Sequence, residues 1–181
     1  MESNEPGPHP AIETLKHYAR VLQRRVQEGE PRAVRSVRVL RELATIDAAQ
    51  LGEAVQRKHC LTASALALGF TSWMHAVEVL EGRAEDFGTL LYPSTCYGHY
   101  NIWSASYDEA REIRAQHGGY LLAYKRQFLI VDRDYIESLG LEPEDPDLEA
   151  IGRDWVKPAS CAARARLYEK LVHNALSQLK D

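Results

Sequence analysis

The 181 residues carry a hydrophobic fraction of 45%, a charged fraction of 27% and a formal net charge of -4. That profile fits one globular domain, or two small ones sharing a core, and excludes wholesale disorder; no apolar run approaches the roughly 20 residues that a membrane helix needs. The net charge gives no general drive toward nucleic acid, and the three widely spaced cysteines, Cys60, Cys96 and Cys161, fit reduced thiols better than a disulfide framework.

Residues 1–10 are acidic and proline-containing, with no apolar core of a secretory signal, so residues 1–11 are expected to be flexible and the protein cytoplasmic. Ile12, Leu15, Tyr18, Ala19, Leu22 and Val26 then recur at helical spacing until Gly29 and Pro31 end one helix and begin another. The second helix is expected to carry Val34, Val37, Leu40 and Leu43 on one face and Arg35, Arg38 and Arg41 on the solvated side. A shorter amphipathic segment, 46–55, leads into a slim, alanine-rich helix over 58–68. Gly69 suits a helix C-terminus, since glycine takes the left-handed conformation without strain. Thr71 or Ser72 can cap the next helix, in which Trp73, Ala76, Val77 and Leu80 face inward until Gly82 stops it.

The segment KHCLTASALALGFTSWMHAVEVL, residues 58–80, with its Gly-Phe-x-Ser-Trp turn, resembles a helical module common in uncharacterised bacterial proteins and often found ahead of ankyrin repeats. The likeness extends over residues 15–82. No ankyrin consensus follows, and the resemblance implies no catalytic residues. The phrases HYNIWSASYDEA and GGYLLAYKRQF of the second half are similar to bacterial proteins of unknown function.

Beyond Gly82 the period changes. Residues 89–92 and 101–104 read as short strands separated by a loop, Ser106 and Glu109 form a capping box for a helix ending at Gly118, and 120–124 with 128–131 read as a hairpin. Asp132 and Asp145 can cap two short helices, and residues 160–179 form a long amphipathic helix with Leu167, Leu171, Ala175 and Leu179 along one stripe. The expected fold is α+β and predominantly helical. A helical module (12–82) packs on a small β-α-β-β unit (83–157), and a C-terminal helix (158–181) folds back over the core.

Charge is unevenly spread. Lys16, Arg20, Arg24, Arg25, Arg32, Arg35, Arg38 and Arg41 crowd the first helices, whereas Glu142, Glu144, Asp145, Asp147, Glu149 and Asp154 face Arg153 alone. The two ends could attract each other or different partners.

The chemically versatile side chains concentrate in 95–103. Cys96 and His99, joined by His59 and Cys60, would supply the nitrogen and sulfur ligands of tetrahedral zinc only if both pairs converged, and their spacing matches no finger pattern, so no metal or cofactor is expected. Cys96 activated by His99, with Asn101 or Asp108 orienting the imidazole, would make a nucleophile; the local signatures of cysteine hydrolases are absent. Cys60 and Cys161 read as inert core thiols. Tyr92, Tyr97, Tyr100, Trp103 and Tyr107, with His99, Asn101, Tyr124 and Arg126, could wall a ligand site, although Trp103 reads as core. Arg35, Arg38 and Arg41 could grip phosphates, but the helix after Gly69 offers few groups that read a base edge, and Glu78 and Glu81 would repel the backbone. The residues therefore favour a binding module for a protein partner or a small ligand at 92–103. The rival readings are a Cys96–His99 enzyme and a nucleic-acid regulator. A homodimer is compatible with all of these readings.

Overall fold

The computed structural model describes residues 9–179, and residues 1–8, expected to be flexible, lie outside them. Ten helices and a three-stranded sheet are described, so the fold is α+β and predominantly helical. The helices are α1 Pro10–Gln27, α2 Pro31–Val37, α3 Arg41–Ala44, α4 Ala48–Ala54, α5 Arg57–Ala67 and α6 Trp73–Glu81. After β1 Ile102–Ser104 come α7 Tyr107–His117, β2 Tyr120–Tyr124, β3 Gln127–Val131, α8 Arg133–Ser138, α9 Pro146–Ala150 and α10 Cys161–Gln178.

Helix α1 is the bridge of the molecule. Its Ala11, Ile12 and Leu15 enter the larger core, with α6, α8, α10 and one sheet face, while Ala19, Leu22 and Val26 enter a second core with α2–α5; Tyr18 touches both. Pro10 starts this helix, so the last two residues of the expected flexible stretch are already ordered. The expected single helix over 31–44 is broken. α2 ends at Val37, Leu40 is extended, and Arg38 donates to the carbonyls of Ala44 and Ile46 at 3.4 and 3.2 Å, folding α3 back on its own side chain. The apolar periodicity survives this break because Val37, Leu40 and Leu43 are all buried.

At the Gly-Phe-Thr-Ser turn, Gly69 (φ +86) donates to Leu66 and Phe70 to Ala65, which satisfies the last carbonyls of α5, and the Ser72 hydroxyl accepts from His75 N–H to begin α6. Phe70 is buried at this turn; in α6, Val79 is buried where Val77 is only half-buried. The expected strand at 89–92 is a turn instead, closed by Tyr92 N–H on the Thr89 carbonyl at 2.9 Å. Its neighbours spend their backbone bonds elsewhere: Thr89 donates to Gly69, and Phe87 and Gly88 exchange bonds with Lys125 at the hairpin tip. This connector ties the helical module to the sheet.

The sheet has the order β1-β3-β2, both pairs antiparallel, so the β-α-β-β unit is present with β1 at one edge. One face, with Tyr120, Leu122, Leu129 and Val131, meets the main core; the other, with Leu121 and Ile130, is covered by Ala110 and Ile113 of α7. Burial on both faces accounts for the unbroken apolar runs of β2 and β3. Beyond β2, Leu121 exchanges backbone bonds with Arg153 and Trp155. α10 folds back along α1 and also meets α9 and α6. Its buried stripe runs through Ala163, Leu167, Leu171 and Leu176, leaving Leu179 exposed where the sequence placed it inside. No helix among the described residues is long and apolar enough to cross a membrane.

Candidate functional site

The segment 92–103 runs from the connector, through a single 3-10 turn over Ser94–Cys96, to the edge strand β1. Its aromatic side chains gather around Tyr92. The Tyr92 ring lies 5.2 Å from Tyr97, 5.3 Å from Trp103 and 5.1 Å from Tyr124, the last two edge to face. Below it, 6.5 Å away and nearly parallel, is Tyr135, whose hydroxyl donates to the Leu91 carbonyl at 2.7 Å. Edge-to-face pairs of this kind contribute about 0.5–1.5 kcal/mol each beyond the area they bury, so the patch is a firm platform.

Its outer surface is open. Tyr97 is 65% exposed, Tyr100 fully exposed, Ile102 41% and Trp103 40%. Trp103 is thus not the core residue that the sequence suggested, because β1 has no neighbour on its outer side to cover it. Of the other expected wall residues, Tyr124 is half-buried within the cluster, and Arg126 is exposed at the two-residue tip of the hairpin. Tyr107 is separate: it lies on the α7 side of the sheet and donates to Asp154 at 2.6 Å. Burial, with the Asp154 carboxylate beside it, pushes the Tyr107 hydroxyl up to about 12.

The structure does not assemble the Cys96–His99 pair. Cys96 is fully buried, and burial pushes its thiol up, away from the thiolate a nucleophile needs. His99 instead sets its ring edge to face on Tyr135 at 5.3 Å and places Nε2 2.9 Å from the Ser138 hydroxyl. Since that hydroxyl donates to the Asp134 carbonyl, His99 Nε2 is the donor to it. Asn101 does not orient the imidazole: both polar atoms of its amide are buried and lack a hydrogen-bond partner among the described residues. Asp108 begins α7, on the other side of the sheet.

His59 and Cys60 sit on α5 against the second core, away from Cys96 in the first, and among the described residues no three His, Cys, Asp or Glu side chains converge to hold a metal. Burial pushes the Cys60 thiol up to about 11. Cys161, expected in the core, is exposed at the first position of α10. Of the phosphate candidates, Arg35 and Arg41 are exposed, but Arg38 is engaged with Ala44 and Ile46, so the three do not form a row. The acidic stretch is partly neutralised from within. Asp147 takes Arg166, Asp145 takes Lys170, Glu149 takes Arg153 and Glu144 takes Arg133.

Against the inner side of the aromatic platform lies a cleft of about 400 Å³ between the end of α5, the connector and the last turns of α10. Its lining includes Gly69, Thr89, Tyr92, Tyr97, Ser138 and Asn174 and, among the described residues, no charged side chain. It offers hydroxyls, amides and ring faces, and among the described residues its lining has no carboxylate, ammonium, guanidinium, imidazole or thiol. The sequence singled out Tyr92 and Tyr97; it carried no signal for Tyr135, which supports the patch from α8, or for the cleft, whose wall is drawn from four distant parts of the chain. No family model matches this chain, and no curated protein or solved structure is significantly similar to it.

Proposed function

We propose that this protein is an interaction module, working in the reducing environment of the cytoplasm, whose binding surface is the 92–103 segment. The observation that carries the reading is the pair of exposed rings Tyr97 and Trp103, packed on half-buried Tyr92 above fully buried Tyr135, with Tyr100 and Ile102 exposed in the same segment. Exposed apolar side chains held rigidly are what a partner-binding surface requires, because aromatic anchors lose little entropy on binding. The buried, undissociated Cys96 thiol and the lack, among the described residues, of a charged side chain in the adjoining cleft favour binding over catalysis. The neutral cleft supports a second occupant, an uncharged small molecule of a size suited to about 400 Å³.

A selection tests this reading. The full chain, immobilised, is panned against a displayed library of random 12-residue peptides, with the Tyr97→Ser/Tyr100→Ser/Trp103→Ser variant as counter-target. The proposal expects peptides that bind the native chain and an Arg35→Ala/Arg41→Ala variant alike but lose at least tenfold in affinity on the triple variant. Enrichment of peptides indifferent to the triple variant would place binding elsewhere.

A further inference from the structure

The sheet order makes β1 the outer strand, and the hydrogen-bond phase shows which of its backbone groups face outward. Leu121 exchanges bonds with Arg153 and Trp155, at 2.8 and 2.9 Å, and so points away from β3. Its partner across the ladder, Ile130, therefore points toward β1. In an antiparallel ladder, opposed residues alternate between pairs that exchange bonds and pairs that do not. Ile130 opposite Ile102, and Phe128 opposite Ser104, are the exchanging pairs. Trp103, opposite Leu129, turns its own N–H and C=O out from the sheet, and among the described residues nothing pairs with them.

Three further features surround this edge. The backbone N–H and C=O of Asn101 share the outward phase of Trp103, and among the described residues no backbone group pairs with them. Trp103 and Ile102 lie on opposite faces of β1, so an added strand would find apolar contact on both sides. The third is charge. β1 runs toward the hairpin tip, where Lys125 and Arg126 are exposed; Lys125 reaches over Tyr124 at 5.3 Å, and among the described residues neither cation has a carboxylate within ion-pair distance. The devices that usually blunt an edge, such as proline, lysine or a bulge within the strand, are missing from Ile102–Ser104.

We propose that β1 accepts an extended, acidic peptide segment of a partner protein as an added strand. The inference rests on 92–103 being the binding surface and names how it binds. The peptide main chain bonds to the backbone N–H and C=O of Trp103, and its next outward-facing unit to those of Asn101. One apolar side chain of the peptide lies beside Trp103, and an acidic one, further along, reaches Lys125 and Arg126. Main-chain bonds supply the affinity and alternate side chains the selectivity.

The test is a backbone N-methyl scan of a peptide enriched by the selection above, read as affinity for the full chain. Strand addition expects losses of tenfold or more at alternate positions and little effect between them. It also expects weaker binding to Lys125→Ala/Arg126→Ala. Peptides that depend on Trp103 but tolerate methylation throughout overturn strand addition and leave the binding surface standing. If no peptide is enriched, the surface reading and this one fall together. A dimer in sedimentation that Trp103→Arg dissociates would give the edge to a second copy of the chain and also overturn the proposal.

Discussion

Single residues here are set as much by what they meet as by their own chemistry. Arg164 is buried and, among the described residues, forms no ion pair with a carboxylate; its guanidinium donates to the Trp155 and Val156 carbonyls and rests on Gly82, the left-handed cap of α6. A cation at a helix C-terminus offsets the partial negative charge that collects there, which is how this buried charge is tolerated. A Cβ at Gly82 would stand 1.8 Å from Arg164 Nη2, on a backbone with φ +77. Gly82→Ala should therefore lose about 1–2 kcal/mol from the left-handed backbone alone, and more from the displaced guanidinium, measured by urea unfolding. Tyr100→Ala should stay within about 0.5 kcal/mol of the native protein, as its ring is in solvent. The thiols give a third check: native protein should react with a thiol reagent at Cys161 alone, with Cys60 and Cys96 appearing on unfolding. Rapid native labelling of Cys96 would revive the nucleophile reading. Composition could not separate these three thiols, because exposure is decided by which side of a helix faces its neighbour.

Elements were legible where one local rule governed them. The Gly69 turn, the Ser72, Ser106 and Asp132 caps and the 120–131 hairpin follow from residues a few positions apart, and each is present. Where distant partners compete, local reading failed. Residues 89–92 have β-tolerant side chains, yet their neighbourhood bonds to Gly69 and Lys125, and α2–α3 is split by Arg38 reaching forward to Ile46. By composition the acidic loop could attract either the basic first helices or a partner. Instead Asp147, at the start of α9, is paired with Arg166 and Lys170 of α10. The Arg166 hydrogen bonds lower its carboxyl below the ordinary value, against a smaller opposing effect of burial. Its contribution is thus complete above the ordinary carboxylate range and is lost as pH falls through the lowered value. Native protein should lose stability on acidification over that window more steeply than Asp147→Asn, as followed by thermal melts at stepped pH. Parallel curves would mean that the pair does not hold α9 to α10.

At the scale of the molecule, the sequence yielded the class and, apart from the strand read at 89–92 and the split of α2 from α3, the order of elements, but not which strand lies at the edge. A β-α-β-β order leaves β1 free to join either side of the hairpin, and only the order β1-β3-β2 exposes Trp103. The two cores share α1 and Tyr18, so they should unfold together despite the split between helical module and sheet. Emission from tryptophan, dominated in its change by fully buried Trp155, should follow the same denaturant curve as exposure of Cys60 in the other core. Separate midpoints would show two independent units. The central claim is that the 92–103 surface is open for a partner, and it is tested most directly by amide hydrogen exchange along β1 in the free protein. The Trp103 amide should exchange quickly between protected Ile102 and Ser104; a Trp103 amide protected as well as its neighbours would mean that the edge is already covered, and would contradict the account.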